Sequence, residues 1–341
     1  MIVGNLFHIK NTNGLYYYGL DYLRANRGLV RRVLVRDALL APTREALPEL
    51  DVRLCTAPGL VAESVRACLR RDVLFTPTPH PIPLLSNQWI VVHDGYPFKI
   101  GARAKLKSWL LRLSLASSRC RVGYINVSET LPFVISLGVS MARTVFVPNR
   151  FPAAARLPID RPREAGAPLV VGLVGTDSPK KNYDALFAEL RRAGAPTAIR
   201  FCVYGHGTAY FGGLRRAFPE VNVDLVESDA HTLGDFIARL DVLASIATQE
   251  GFGRPIATAL LSGLPCFLLD RPVFREFFEP GATFFLNPGQ LVDALLRYDV
   301  HAPRPAGPAY QPPRYALDAF EKAVAMLAAT ARATAASHPS Q

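Results

Sequence analysis

Several things are scarce or missing in this sequence, and each absence closes off a class of protein. No run of eighteen apolar residues occurs, so no membrane-spanning helix is expected. The first ten residues read as the start of a strand, without a charged segment leading into an apolar one, so no secretory signal is expected. The five cysteines, at 55, 68, 120, 202 and 266, are scattered and contain no Cys-x-x-Cys. In or beside apolar stretches, they read as reduced, mostly buried thiols of a cytosolic protein, with neither a disulfide frame nor a metal cage in view. No Asp-x-Asp pair is present, and no internal repeat of 20–50 residues can be found. Acidic residues are wholly missing between Asp94 and Glu129.

What is present is enough for two α/β domains. The chain has 341 residues, half of them hydrophobic, so each half can bury a core of its own. The charge is divided unevenly. Residues 1–150 carry 20 Lys and Arg against 9 Asp and Glu, whereas residues 151–341 carry 19 against 19. A basic half beside a neutral half implies that the first half meets something anionic: nucleic acid, an anionic membrane surface or a phosphorylated acceptor.

Hydrophobic patterning supports the same division. In the second half, 169–175 (LVVGLVG), 199–205 (IRFCVYG), 221–226, 241–247 and 264–269 read as strands. They alternate with helices predicted at 182–193, 233–240 and 255–262, the order of a parallel α/β sheet. In the first half, strands are predicted at 2–8, 29–35, 52–55, 73–76, 89–93, 122–127 and 144–147, and helices at 15–26, 60–70, 102–116 and 129–137. The pattern breaks at 148–168 and again at the Pro-rich 303–313, before a last helix over 315–329 and a frayed tail from Ala333.

Three loops after strands could carry chemistry. The first follows Gly175: Thr176-Asp-Ser-Pro-Lys180-Lys181-Asn182 places two lysines where a helix is predicted to open, a plausible seat for a diphosphate. The second is Gly205-His206-Gly207, where flexible backbone lets a ligand approach and His206 can meet a phosphate, a sugar or a base. The third is Glu250-Gly251-Phe252-Gly253-Arg254-Pro255. It puts a carboxylate and two glycines just ahead of a helix started by proline, outside the carboxyl end of a strand where ligands of such sheets lie. There the carboxylate can hold sugar hydroxyls while the helix start holds phosphate. Each loop also reads as an ordinary strand-to-helix turn, but that reading of the third needs neither both glycines nor the proline.

The residues 249–265 (QEGFGRPIATALLSGLP) resemble the donor-binding signature of glycosyltransferase family 4. The likeness extends to the 173–182 loop, to Val92-His93-Asp94, to 124–131 (YINVSETL) and to 145–149 (VFVPN), covering residues 90–290. It implies two facing Rossmann-like domains, the GT-B fold, with residues 1–150 taking the acceptor and residues 151–310 the nucleotide-sugar. It further implies a helix over 311–332 crossing back to the first domain and a flexible tail over 333–341. The reaction it implies is retaining sugar transfer (a hexosyltransferase) from a UDP- or GDP-sugar with no metal and no cofactor, in accord with the missing Asp-x-Asp. Glu250 would orient the donor sugar, Lys181 and Lys180 would neutralise its diphosphate, and His93, with Asp94, would lie near the reacting sugar. Two positions depart from the family pattern. Thr258 stands where a second Glu would bind the ribose, and Thr176 stands where an Arg would follow the glycine. A sugar-nucleotide-binding protein without catalysis and a nucleotide-sugar epimerase are therefore alternatives.

Two features bear on the acceptor. Asn11-Thr-Asn13-Gly14 follows the first strand, and Gly14 would let an acceptor or phosphate come close, with Tyr16, Tyr17 or Tyr18 available to stack on a sugar. From Lys99 to Arg121 there are seven basic residues: Lys99, Arg103, Lys105, Lys107, Arg112, Arg119 and Arg121. On a helix, Leu106, Trp109, Leu110 and Leu113 share a face expected to pack on the core, while Lys105, Arg112 and Arg119 share another. The positive charge predicts docking on an anionic membrane surface, peripheral on the inner face of the cell membrane, or a polyprenyl-diphosphate-linked or glycan acceptor in cell-surface polysaccharide synthesis. Nucleic acid would account for the charge but not for the Glu250 loop, so it is not expected as a partner.

Overall fold

A computed structural model describes residues 1–95, 98, 104–117, 120–152, 167–195, 197–299 and 310–336, with the backbone alone at 334–336. The chain divides into two compact units, Met1–Arg150 with Pro313–Gln341, and Phe151–Pro312. Each is built on one parallel sheet.

The first sheet consists of β1 (Ile2–Asn5), β2 (Val30–Val35), β3 (Val52–Leu54), β4 (Val73–Thr76), β5 (Gln88–Val92), β6 (Arg121–Tyr124) and β7 (Thr144–Phe146), in the order β3-β2-β1-β4-β5-β6-β7. The second consists of β8 (Leu169–Val174), β9 (Ile199–Gly205), β10 (Asn222–Glu227), β11 (Val242–Ser245), β12 (Cys266–Leu269) and β13 (Thr283–Phe285), in the order β10-β9-β8-β11-β12-β13. Both orders run outward from the first strand, reverse, and continue from the fourth, which is the doubly wound Rossmann arrangement. The reversal lies between β1 and β4 in one sheet and between β8 and β11 in the other. Ligands of such sheets sit outside the carboxyl ends of the strands at these switch points.

The central strands β1, β4 and β5 are continuous buried runs covered on both faces, as parallel sheets require. All four residues of β1 and all five of β5 are buried. In the second unit, Leu173, Leu186, Phe187, Phe201, Val203, Ala244 and Leu291 belong to a single core cluster. All five cysteines are free, with Cys55, Cys120, Cys202 and Cys266 buried.

Several elements differ from their predicted bounds. Lys180 and Lys181 do not open a helix. They lie in a single 3₁₀ turn, Pro179–Lys181, and Asn182 at φ 59° separates that turn from the helix Tyr183–Arg192. Helices absent from the sequence reading occupy Asp37–Ala46, Ala209–Ala217, Pro272–Phe278 and Pro288–Leu296. The last helix, Arg314–Ala336, continues past Ala333, where a frayed tail is expected; residues 337–341 lie outside the described residues. This helix belongs to the first unit, where it packs on β4 and β7 and sets Phe320 against Tyr22.

The largest correction concerns the basic helix, Ala104–Ser117. Its core side is Ala104, Leu111 and Leu115, which are 2–6% exposed. The apolar stripe expected to face the core lies on the opposite side: Trp109 is 58% exposed, Leu106 54%, Leu113 53% and Leu110 47%. With 3.6 residues per turn, the set 104, 111, 115 and the set 106, 109, 110, 113 fall about half a turn apart, so the helix carries two apolar stripes and only one meets the core. Lys105, Lys107 and Arg112 are exposed with the outer stripe. Lys99, Arg103 and Arg119 lie outside the described residues.

Candidate functional site

The loops after β8 and β11, which flank the switch point of the second sheet, bring together residues 69 positions apart in sequence. The Lys181 Nζ donates to Glu250 Oε2 at 3.1 Å, with the two side chains 15% and 23% exposed. Burial alone would raise the Glu250 carboxyl, but the charges of Lys181 and Lys180, the Lys181 hydrogen bond and the Gly251 N–H hold it below the usual carboxylate range. The pair borders a cavity of about 40 Å³, lined also by Tyr183, Ser245, Gly253 and Pro255. Lys180 contributes its carbonyl, which accepts from the Thr248 N–H at 2.9 Å and so ties the two loops to one another.

Glycine is required here at two positions. Gly175 has φ 95°, and a Cβ on it would stand 2.6 Å from Lys181 Cε, so the lysine reaches Glu250 across a position that only glycine leaves open. Gly253 has φ 88° and caps the helix Arg254–Leu261, in which Pro255 stands at the first turn.

Other predicted site residues make protein contacts of their own. Thr176 is 3% exposed; its Oγ1 accepts from the His206 N–H at 3.1 Å, and its carbonyl accepts from the Thr208 hydroxyl. Its side chain holds the two loops together and does not replace the missing arginine. Phe252 is 2% exposed, with its ring against Phe151, Phe277 and Phe278, so it anchors the Glu250 loop in an aromatic cluster and offers no face to a sugar. The Thr258 hydroxyl donates back to the Arg254 carbonyl at 3.1 Å, within its own helix. His206 is exposed, with Ser228 Oγ 3.2 Å from its ring and Asp229 3.4 Å away. Arg254 is half-buried at the helix start.

In the first unit, His93 follows β5. Its Nε2 donates to the Pro77 carbonyl at 3.1 Å, and its ring stands edge-on to Tyr18 at 4.5 Å. Asp94, next to it, is half-buried. Gly14 opens the helix Gly14–Ala25, where the Asn13 side chain caps the N–H groups of Leu15 and Tyr16. Of the three consecutive tyrosines, Tyr16 and Tyr18 are buried and only Tyr17, 49% exposed, is free to meet a sugar. Sequence reasoning missed a cluster at the switch point of this sheet. His8 follows β1 and His80 follows β4, and their rings stack at 4.3 Å, while Arg36 follows β2.

The two strand orders place this chain among known folds. Over 99% of its length it superposes on 99% of the Anabaena protein Alr3699/HepE, whose structure holds UDP and glucose, with a TM-score of 0.66 at 15% identity. The chain has the GT-B fold. WaaG, a glycosyltransferase involved in lipopolysaccharide biosynthesis, shares it with a TM-score of 0.60 at 15% identity, over 99% of this chain and 96% of WaaG. In sequence the chain is 23% identical to the O-antigen chain mannosyltransferase RfbU of Salmonella typhimurium, over 86% of this chain and 92% of RfbU. No protein-family model matches the chain. Its resemblance is thus to GT-B glycosyltransferases of the family 4 kind, in fold and in sequence alike.

Proposed function

We propose that this GT-B protein is a retaining, metal-independent glycosyltransferase that moves a sugar from a UDP- or GDP-sugar to a glycan or lipid-linked acceptor in cell-surface polysaccharide synthesis. The observation that carries the reading is the Lys181–Glu250 pair at the switch point of the second sheet. The UDP and glucose in the HepE structure and the mannosyl transfer named for RfbU support it.

The second unit takes the donor. Its diphosphate binds Lys181 and the N–H groups at the start of the helix Arg254–Leu261, with Lys180 adding charge. An anion that takes up Lys181 releases Glu250, whose carboxylate then accepts from the donor sugar's hydroxyls. The bond from the anomeric carbon to the phosphate oxygen breaks, and its electron pair leaves with the nucleoside diphosphate. The acceptor oxygen bonds to the same face of the sugar, and its proton passes to the departing phosphate oxygen. In the first unit His93, oriented by the Pro77 carbonyl, offers a hydrogen bond to a sugar hydroxyl. Glu250→Gln tests this assignment. Transfer should fall by on the order of 100-fold with the nucleotide still bound, and unchanged transfer would remove Glu250 from the mechanism.

The first unit takes the acceptor and docks on anionic lipid through the outer stripe of the helix Ala104–Ser117. Leu106, Trp109, Leu110 and Leu113 present apolar surface ringed by Lys105, Lys107 and Arg112, the composition of a helix that lies in a membrane interface. Each basic residue near such a surface contributes about 1 kcal/mol. Partitioning into vesicles should rise with their anionic lipid content; equal partitioning into neutral vesicles would exclude this role of the charge.

A further inference from the structure

The switch point of the first sheet carries a cluster that the donor chemistry leaves unused. We propose that the loops after β1, β2 and β4 build an anion seat in which Arg36, His8 and His80 hold a phosphate of the acceptor. This deepens the acceptor role given above to the first unit and rests on that reading.

Four observations support the seat. First, it occupies the position in its sheet that the Lys181–Glu250 site occupies in the other, outside the carboxyl ends of strands at a reversal of order. Second, it gathers cationic and protonatable groups with no acid to neutralise them. Among the described residues, no carboxylate pairs with Arg36, His8, His80 or Lys107, although Arg31, Arg32, Arg53 and Arg66 of the same unit all hold carboxylates. Third, the groups are held in place. Arg36 Nε donates to the Phe7 carbonyl at 2.5 Å while its guanidinium stacks 4.7 Å over the Phe7 ring. Thr78 Oγ1 lies 3.0 Å from His80 Nδ1, and the two imidazoles lie within 12° of parallel. Fourth, His80 is held from protonation: burial lowers it first, and the positive charge of Lys107 on the basic helix adds to that.

The chemistry suits a phosphate. Two stacked imidazoles next to a guanidinium repel a proton while the seat is empty: His8 is pushed down to about 4 by burial, by His80 and by Arg36. A phosphate between them reverses that balance. It accepts N–H bonds from Arg36 and from both rings, and it favours their charged forms. Glycan hydroxyls would gain nothing from such a site, so the seat distinguishes an acceptor that carries phosphate from one that does not.

The test follows the imidazole signals of histidine-labelled whole protein, with His8 and His80 assigned through His8→Gln and His80→Gln. Inorganic pyrophosphate, a water-soluble prenyl diphosphate and phosphatidylglycerol vesicles are titrated separately. The seat predicts saturable shifts at both histidines and upward movement of their titration. Arg36→Gln should weaken the response at least tenfold, and Arg36→Lys should restore part of it. A response to prenyl diphosphate and not to vesicles assigns the phosphate to a lipid-linked acceptor, whereas a response to vesicles assigns it to lipid headgroups. Shifts confined to His206, which reports the second unit, or a response that Arg36→Gln leaves intact, overturn the seat. Donor binding, followed by thermal shift with UDP- and GDP-sugars on the same samples, separates a failure of the seat from a failure of the glycosyltransferase reading.

Discussion

The two units repeat one strand order and differ in what stands at its reversal. In the second, cation and carboxylate are already paired: Lys181 holds Glu250 at 3.1 Å, and Gly175 leaves room for the lysine side chain. In the first, Arg36, His8 and His80 stand together without an acid among the described residues. Net charge follows the same division. The first unit carries 23 Lys and Arg against 11 Asp and Glu, and the second 16 against 17. The comparison teaches that one strand order can carry two electrostatic arrangements at its reversal, and the proposals above assign each a way of taking an anion. A paired site stays neutral until a ligand separates the pair, and it then uses both halves. An unpaired site stores positive potential and waits for an anion to complete it.

The sharpest way to break the comparison is to remove one half of the paired site. Lys181→Met should leave Glu250 desolvated and unpaired, weakening nucleotide-sugar binding and lowering transfer by on the order of 100-fold. It should cost about 1.5–3 kcal/mol of stability, the range for a hydrogen bond to a charged group. Initial rates and thermal melts measure both. If Arg36→Met produced the same loss of donor binding, the division of labour between the units would be wrong.

A second test concerns the glycine that keeps the pair apart from the backbone. Gly175→Ala meets both a φ of 95° and a contact of 2.6 Å with Lys181 Cε. It should destabilise by about 1–3 kcal/mol and displace Lys181, with loss of nucleotide affinity. Gly213→Ala, where a Cβ would meet nothing within 4 Å in the helix Ala209–Ala217, is the control and should be neutral or slightly stabilising. Equal effects of the two substitutions would show that Lys181 does not depend on Gly175.

A third acts outside both switch points. Trp109→Asp replaces a side chain that is 58% exposed, so stability should change by no more than about 0.5 kcal/mol. Binding to anionic vesicles should nevertheless fall several-fold, because the apolar stripe and the basic residues act together. Loss of stability with vesicle binding intact would return this stripe to a packing role.

The fold class was legible in the alternation of apolar runs with helical spacing, and two strands, Val73–Thr76 and Ile199–Gly205, match the predicted bounds at both ends. The missed elements have separate causes. The edge strand Thr283–Phe285 has three residues, too few to show a period. The helix Asp37–Ala46 carries Pro42 inside it, which argues against a helix in sequence. Pro272 and Pro288, both at first helical positions, were signals that could have found their helices. Periodicity revealed an apolar face on Ala104–Ser117 but could not say which of two faces meets the core, since that depends on what lies opposite. Lys181 and Glu250 belong to local motifs and could be picked out singly. The inward turn of Thr176 and Phe252, and the meeting of His8, Arg36 and His80 from three separate loops, are products of tertiary packing that leave no local pattern.

The smallest expected effect, and the one that compares the sites most directly, is their response to acid. His8 titrates near 4 in the folded chain against an ordinary 6.5, so between those values the unfolded chain binds the extra proton. Stability therefore falls as pH drops from 6.5 toward 4 and levels off below it. The groups facing His8 (His80, Arg36 and, beyond them, Lys107) are cationic or protonatable, so none offsets the trend. Glu250 behaves differently. Its folded carboxyl titrates below the ordinary 4.5, so the ion pair contributes fully above that pH and is lost only as pH falls below it. The melting difference between wild type and His8→Gln should accordingly shrink from pH 6.5 to 4, while the difference between wild type and Glu250→Gln should hold steady down to about 4.5 and shrink only beneath it. Pyrophosphate should flatten the first profile by raising His8 toward its unfolded value. A profile for His8→Gln that runs parallel to wild type would mean that the imidazole pair does not hold its neutral form, and the contrast between an unpaired and a paired switch point would lose its electrostatic basis.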